Sequence, residues 1–414
     1  MALPTIGRSL QVTPALSVLI ITAYQLAIVI AALPCGALGE SFGYRRVFTL
    51  GVILFTAASA LCALSPSLPW LIAARALQGL GGAAIMSLAG ALLRMIVAED
   101  RLGSAIGWNA LVVALSSASG PTIGALILSL GPWPWLFAVN LPLGALVILA
   151  TRALPTALGT GRRIDGASVA LHATGIATLI AGVELLPTKL PFALLLLAAA
   201  SVTLTALARR ELPREVPLIP FDLLRGASFR NSVIASVCLF AGVTAGIVAL
   251  PFYLQHGLGR SVLATGLYMT AWPLTVAMTA PVSGRLAKRM PTGWLCAAGG
   301  TCLALGLAAA SLWPIRGTLA PLVVFLMLCG MGFGLFNVPN NRNMYLSAPR
   351  ARSGAAGGVQ GTARLSGQTL GAVIMTLLFT LTSVPRAPRI GLCIGAALTL
   401  TAGLISTRRS AQPG

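Results

Sequence analysis

Apolar stretches of roughly 20 residues follow one another almost from end to end of this chain, separated by short polar gaps. Thirteen are long enough to cross a bilayer: 15–38, 47–65, 68–93, 104–128, 133–151, 166–186, 190–208, 231–255, 263–283, 292–313, 318–340, 357–382 and 388–406. A helix rising about 1.5 Å per residue needs about 20 apolar residues to cross a ~30 Å hydrocarbon core. The positive charge sits in every second gap. Assigned alternately to two sides, the gaps place 19 of the 28 Lys+Arg on one side and 6 on the other. The remaining three, Arg75, Arg342 and Arg364, lie within or at the edge of a span. The basic side is expected to be cytoplasmic, with the C-terminus there and the N-terminus opposite. The pattern predicts an all-α polytopic membrane protein of about 13 transmembrane helices.

Composition narrows the reading further. Hydrophobic residues make up 57% of the chain and charged residues only 9%, against about a quarter charged in soluble domains. Lipid can cover that much apolar surface and water cannot. A net charge of +20 suggests a nucleic-acid partner at first sight. Here it is dispersed through short gaps and forms no basic face, so no nucleic acid is expected and contact with an anionic bilayer is. The seven cysteines all fall within predicted spans without metal or redox spacing, which makes them small apolar packing residues.

The longest polar stretch, about 209–230, reads as a connector between membrane bundles. It divides the chain into an N-terminal bundle over 1–151, two accessory helices with the connector over 152–230, and a C-terminal bundle over 231–414. The turn Gly36-Ala37-Leu38-Gly39-Glu40-Ser41-Phe42-Gly43-Tyr44-Arg45-Arg46 is echoed by Gly284-Arg285-Leu286-Ala287-Lys288-Arg289. Parallel repeats of this kind occur in transporters whose halves rock about a midplane site.

These residues resemble the major facilitator superfamily, and within it the fourteen-span drug–proton antiporter branch. The first turn matches that family's loop signature in its glycines and its arginine pair, with Glu40 where an Asp is usual. Arg75-Ala76-Leu77-Gln78-Gly79 resembles the arginine motif of a cavity-lining span. Gly120-Pro121-Thr122-Ile123-Gly124 is similar to the antiporter motif, with Ala125 in place of a second glycine. Trp135 to Gly144 and Asp165-Gly166 resemble further branch signatures. The resemblance implies two six-helix bundles plus two accessory helices, a bacterial inner membrane, a small-molecule substrate, a monomer, and no cofactor beyond the proton gradient. It also implies a first helix carrying an Asp, and Met1-Ala2-Leu3-Pro4-Thr5-Ile6 looks like that helix's end. Two readings are open: a start codon upstream of Met1, or a truncated copy.

Charge inside a membrane is costly, about 2.5–3.5 kcal/mol for a mid-helix arginine on insertion scales. Arg75 therefore needs a partner or a watery cavity, and Gln78 lies one turn on. By resemblance Arg75 lines the cavity and helps relay protons; a structural arginine bonded to backbone carbonyls is the alternative. Gln360, Arg364 and Gln368 share one helix face at i, i+4, i+8 spacing. That stripe faces a substrate path or bonds a neighbouring helix. Tyr24, Gln25, Asn109, Tyr268 and Trp272 are further candidates for substrate contact. Gly36, Glu40, Gly43, Arg45 and Arg46 form the candidate gate loop, Glu40 being suited to accept from a helix N-terminus or an arginine. Gly120, Pro121 and Gly124 form the antiporter-like element. Asn337, Asn340, Asn341 and Arg342 suggest a gate or a solvated interface. Only Glu184 of the eight acids falls within a span, so no proton carrier is obvious.

The sequence reading is secondary active export of hydrophobic small molecules in exchange for protons, by alternating access. Alternatives are an exporter of one metabolite or antibiotic, and a truncated non-transporting remnant or membrane partner subunit. No nucleophile–base pair, metal-ligand cluster or phosphate loop points to an enzyme.

Overall fold

The computed structural model describes residues 6–7, 9–12, 14–156, 159–161, 165–186, 189–213, 220–254, 262–313, 320–382 and 386–408. Its elements are α-helices: α1 (Pro14–Phe42), α2 (Tyr44–Ala63), α3 (Leu68–Ile96), α4 (Glu99–Leu130), α5 (Trp135–Ala138), α6 (Asn140–Ala150), α7 (Gly166–Leu185), α8 (Leu190–Glu211), α9 (Phe221–Arg225), α10 (Ala227–Phe252), α11 (Val262–Leu286), α12 (Thr292–Leu312), α13 (Ala320–Leu346), α14 (Ser353–Leu381) and α15 (Ala387–Thr407). Apart from 133–151, each apolar stretch lies, over its described residues, almost wholly within one helix. Ten helical segments among the described residues are long and apolar enough to cross a membrane. In lipid a helix is the one open-ended element that satisfies its own backbone, so this outcome follows from the apolar pattern.

The stretch at 133–151 differs from expectation in one respect. It is a short helix, α5, then α6 and a 3₁₀ turn over Thr151–Ala153. Pro142 has no N–H to offer the Ala138 carbonyl, and the ladder breaks just after that residue.

The ends of the helices follow local chemistry. Asp165 caps α7, its carboxylate accepting from Ala167 N at 3.2 Å and from Ser168 Oγ at 2.9 Å. Proline opens α8 and α15 at Pro191 and Pro388, where a missing N–H costs nothing. Gly43 alone separates α1 from α2. Its φ of 94° lies in the left-handed region that glycine reaches without strain.

The chain divides into two compact units. One comprises Met1–Ile96, Ser119–Asp222 and Pro349–Gly361; the other comprises Val97–Ala118, Leu223–Ala348 and Thr362–Gly414. In the first, α3 packs on α1 and α2, α2 packs on α6, and α7 pairs with α8 and reaches α1. In the second, α12 packs on α13 and α15, α15 on α10, and α13 on α11 and α10. Its core gathers Leu239, Leu250, Leu303, Leu307, Leu326 and Phe336. Small residues permit these contacts: Gly299 of α12 and Gly332 of α13 meet backbone to backbone.

Within the second unit α10 and α13 are joined by a polar seam. Asn340 Nδ2 donates to Ser236 Oγ at 2.7 Å, and Asn343 Nδ2 to Ser232 Oγ at 2.8 Å and Ser228 Oγ at 3.0 Å. Asn340 is only 1% exposed. Water does not satisfy this asparagine, as an interfacial reading supposes; the facing serines do, because burial makes an unmet amide expensive.

Candidate functional site

Arg75 projects from α3 into a group drawn from four helices of the first unit. Its guanidinium lies 4.1 Å from the centre of the Tyr24 ring and 5.7 Å from that of Phe137. Nε donates to the Ile20 carbonyl at 3.1 Å, and Nη1 donates to Gln78 Oε1. Gln78 passes the chain on, Nε2 to Ser59 Oγ at 2.7 Å, and Ser59 donates to the Phe55 carbonyl at 2.7 Å. Gln78 and Ser59 are both buried. The ring faces and neutral acceptors hold the charge in place without neutralising it. Among the described residues no carboxylate reaches it.

The second constellation lies at the basic end of the same unit and is built around Glu40. Oε2 accepts from Arg352 Nη1 at 2.7 Å, and Oε1 from the backbone N–H of Ala355 at 2.6 Å. Ala355 stands in the first turn of α14, where N–H groups lack intrahelical partners and the helix dipole favours an anion. The other edge of Arg352 is a fork on Asp222, with Nη2 to Oδ1 at 3.0 Å and Nε to Oδ2 at 3.1 Å. The side chains of Glu40 and Arg352 are only 8% and 12% exposed. Burial opposes the charge on Arg352, but Glu40 and then Asp222 hold the guanidinium above its ordinary pKa. It stays a cation at every working pH.

Backbone geometry creates this clasp. Gly36 of α1 and Gly354 of α14 cross so closely that a Cβ on either would overlap the other's carbonyl. Tyr44 Oη spans the junction, accepting from Gly354 N at 3.2 Å and donating to the Ala351 carbonyl at 3.3 Å. Arg94 Nη1 donates to Ser353 Oγ at 3.1 Å. The Glu40 and Ser41 carbonyls, at the end of α1, accept from Thr160 N at 2.9 Å and Gly161 N at 3.0 Å.

Sequence reasoning placed Tyr24, Arg75 and Gln78 among the path residues, and the structure brings them together. Gln25 is exposed. Asn109 is exposed and belongs to the other unit. In the gate loop Gly36, Glu40 and Gly43 hold the positions just described. Arg45 and Arg46 do not contribute the partner charge: Arg45 Nη1 donates to the Leu154 carbonyl at 2.9 Å, and Arg46 is exposed. Arg352 stands just before α14, near the N–H from which Glu40 also accepts, while Arg45 is taken by a backbone carbonyl. A Cβ added at Gly124 would meet only the Leu136 side chain, at ordinary van der Waals distance. Gly120 and Pro121 lie within α4, with side chains outside the described residues. Arg364 rests 5.8 Å from the centre of the Phe240 ring. Gln360 and Gln368 are half-buried on the same helix. Trp272 is buried in the core of the second unit, with Tyr268 packed at its edge.

Missed from sequence were Ser59, Phe137, Asp222, Arg352 and Ala355. Arg352 and Asp222 were visible only as two more charges in basic-side gaps. No sequence signal joins Glu40 to Ala355, which lies 315 positions away.

The Major Facilitator Superfamily profile matches residues 1–372. The chain is 42% identical to an uncharacterized transporter, YebQ, of Escherichia coli K12, covering all of this chain and 91% of that one. It is 30% identical to the tetracenomycin C resistance and export protein of Streptomyces glaucescens, over 91% of this chain and 71% of that one. Among solved structures it superposes on the transporter FucP in its outward conformation with a TM-score of 0.70 at 15% identity, covering 99% and 93% of the two chains. That last likeness speaks to the fold alone.

Proposed function

The chain belongs to the major facilitator superfamily and is a multi-pass membrane transporter, not an enzyme; on that footing we propose that it exports apolar small molecules in exchange for protons by alternating access. The basic end of the helices is the cytoplasmic side in this reading, and the membrane is a bacterial inner membrane, as the positive-charge asymmetry favours.

The observation that carries the reading is the Glu40–Arg352–Asp222 clasp. Alternating access needs a closure that is firm in one state and fully broken in the other. An ion triad seated on a helix N-terminus has that property, because its energy falls steeply once the charges separate and water enters. The glycine crossing beneath it sets the distance at which the clasp engages. Arg75, fixed between Tyr24 and Phe137, supplies a positive point within the membrane that a titrating group or an incoming substrate can bias. Gln78 and Ser59 continue that polar line.

Export is supported by similarity to a protein named for tetracenomycin C export and to a multidrug efflux pump of Mycolicibacterium smegmatis. The test is efflux of a lipophilic dye from energised cells that express the chain. Expected is dye loss that a protonophore abolishes and that Arg352→Ala slows. Efflux indifferent to the proton gradient refutes the coupling, and none beyond that of vector-only cells refutes export.

A further inference from the structure

The charges of the second unit do not balance inside the membrane. No Asp or Glu occurs anywhere after residue 222. The unit's remaining acids, Glu99 and Asp100, sit in the first turn of α4. The arginines in its helices mostly stand near a helix end. Arg342 falls in the last turns of α13, and Arg389 opens α15, donating to the Trp313 carbonyl at 2.8 Å. Only Arg364 is deep: it is the twelfth residue of α14, about 17 Å along the helix from its start.

Arg364 has no ion pair among the described residues, and its buried Nε has no hydrogen-bond partner there. What holds it is aromatic. The guanidinium lies 5.8 Å from the centre of the Phe240 ring, and Phe333 meets Phe240 edge-on at 5.8 Å. The arrangement is fixed from below. At Gly367 and Gly371 α14 presses against the α10 backbone, where a Cβ would run into the Val237 and Ala241 carbonyls. Gln368 follows one turn along the same face as Arg364.

We propose that Arg364, backed by Phe240 and Phe333, recognises an anionic group on a planar aromatic cargo, with Gln368 supplying a second polar contact. A guanidinium steadied by a ring keeps its donor fork free, and that fork matches a carboxylate or a comparable oxyanion two-point. The Phe240–Phe333 pair offers apolar surface for a ring system beside the charge. A cationic cargo meets repulsion here, since this unit has no acid at that depth to receive it. The inference rests on the transporter reading above and names the class of substrate within it.

The test uses two dyes with the same fused xanthene ring, fluorescein, an anion at neutral pH, and rhodamine 123, a cation. Binding to the purified, detergent-solubilised full chain is followed by fluorescence polarisation. Fluorescein is expected to bind the unaltered protein more tightly. Arg364→Gln is expected to weaken fluorescein about 10–100-fold, the loss of a charged hydrogen-bonded contact, and to change rhodamine 123 less than about twofold. Arg364→Lys is expected to fall between, because it keeps the charge and loses the fork. Fluorescein binding no tighter than rhodamine 123 in the unaltered chain overturns the proposal, and that comparison needs no variant to fold. So does fluorescein affinity untouched in an Arg364→Gln protein that elutes as a single folded species. Selective binding without proton-driven efflux of either dye sinks the exporter reading and leaves this one standing.

Discussion

Arg352 Nη1 donates a 2.7 Å hydrogen bond to Glu40 Oε2 across 312 positions of sequence. The pair joins the end of α1 to the residue just before α14, and the remaining edge of the guanidinium is taken by Asp222. One cation therefore serves two carboxylates, which makes the clasp asymmetric: its centre is Arg352.

That asymmetry predicts an order of severity. Arg352→Ala leaves two carboxylates, one of them buried, without their counter-charge and is expected to cost about 3 kcal/mol or more. Glu40→Gln should cost less, because Asp222 still pairs with Arg352. Exchanging the first two charges, Glu40→Arg with Arg352→Glu, should fail to restore stability, because Asp222 would then face a glutamate. Adding Asp222→Asn to the exchange should recover part of the loss. Thermal unfolding of the purified variants checks the order, and full rescue by the simple exchange contradicts the three-group arrangement.

The Gly36–Gly354 crossing predicts intolerance of a single methyl group. Gly354→Ala sets a Cβ against the Gly36 carbonyl and should cost about 1–3 kcal/mol as the helices are forced apart. Gly166→Ala is the control. A Cβ there meets nothing within 4 Å, so the change should be neutral or stabilise by up to about 1 kcal/mol. Comparing the two melting temperatures under one set of conditions decides the matter.

At Arg75 the ring beneath the guanidinium should matter more than the hydroxyl on it. Tyr24→Phe keeps the face that lies 4.1 Å from the charge and should be close to neutral. Tyr24→Leu removes that face and should cost about 1–2 kcal/mol. Arg75→Lys should also lose stability, because an ammonium cannot serve the Ile20 carbonyl, Gln78 and the ring at once. Equal stability for Tyr24→Phe and Tyr24→Leu would show that the stacking contributes nothing.

Helices α7 and α8 are tied at one end by polar contacts. Ser168 Oγ stands within hydrogen-bond reach of both Asp165 and Glu211, its one proton serving one carboxylate at a time, and Arg210 Nε donates to Asp165 Oδ2 at 2.8 Å. The Glu211 side chain is fully buried, so Ser168→Ala withdraws a donor where water cannot replace it. A loss of about 1–3 kcal/mol is expected. Exposed Ser129→Ala, whose hydroxyl bonds only a nearby carbonyl, should fall within about 0.5 kcal/mol of the unaltered protein.

Part of the candidate site was legible beforehand because its signals are local. Arg75 and Gln78 sit three apart on one helix, so their meeting needs only helical geometry. Helical spacing likewise puts Arg364 and Gln368 on one face. Glu40 was identified with its type of partner, a helix N-terminus or an arginine, and the structure supplies both. Which arginine was beyond reach: Arg45 and Arg46 are adjacent in sequence, yet the bond goes to Arg352. Ser59 and Phe137 carry no pattern of their own, and only the packing of α2 and α5 around α3 gives them a role.

From the residues alone came the run of spanning helices, the all-α class and the uneven distribution of charge. Each depends on a local balance, since a lipid-embedded backbone must satisfy itself within its own segment and a basic gap resists translocation wherever it lies. Folding in three dimensions decided which charge meets which. Those meetings depend on how closely two helices approach, which at Gly36 and Gly354 is settled by a pair of absent side chains more than 300 positions apart. No periodicity within either helix encodes that distance.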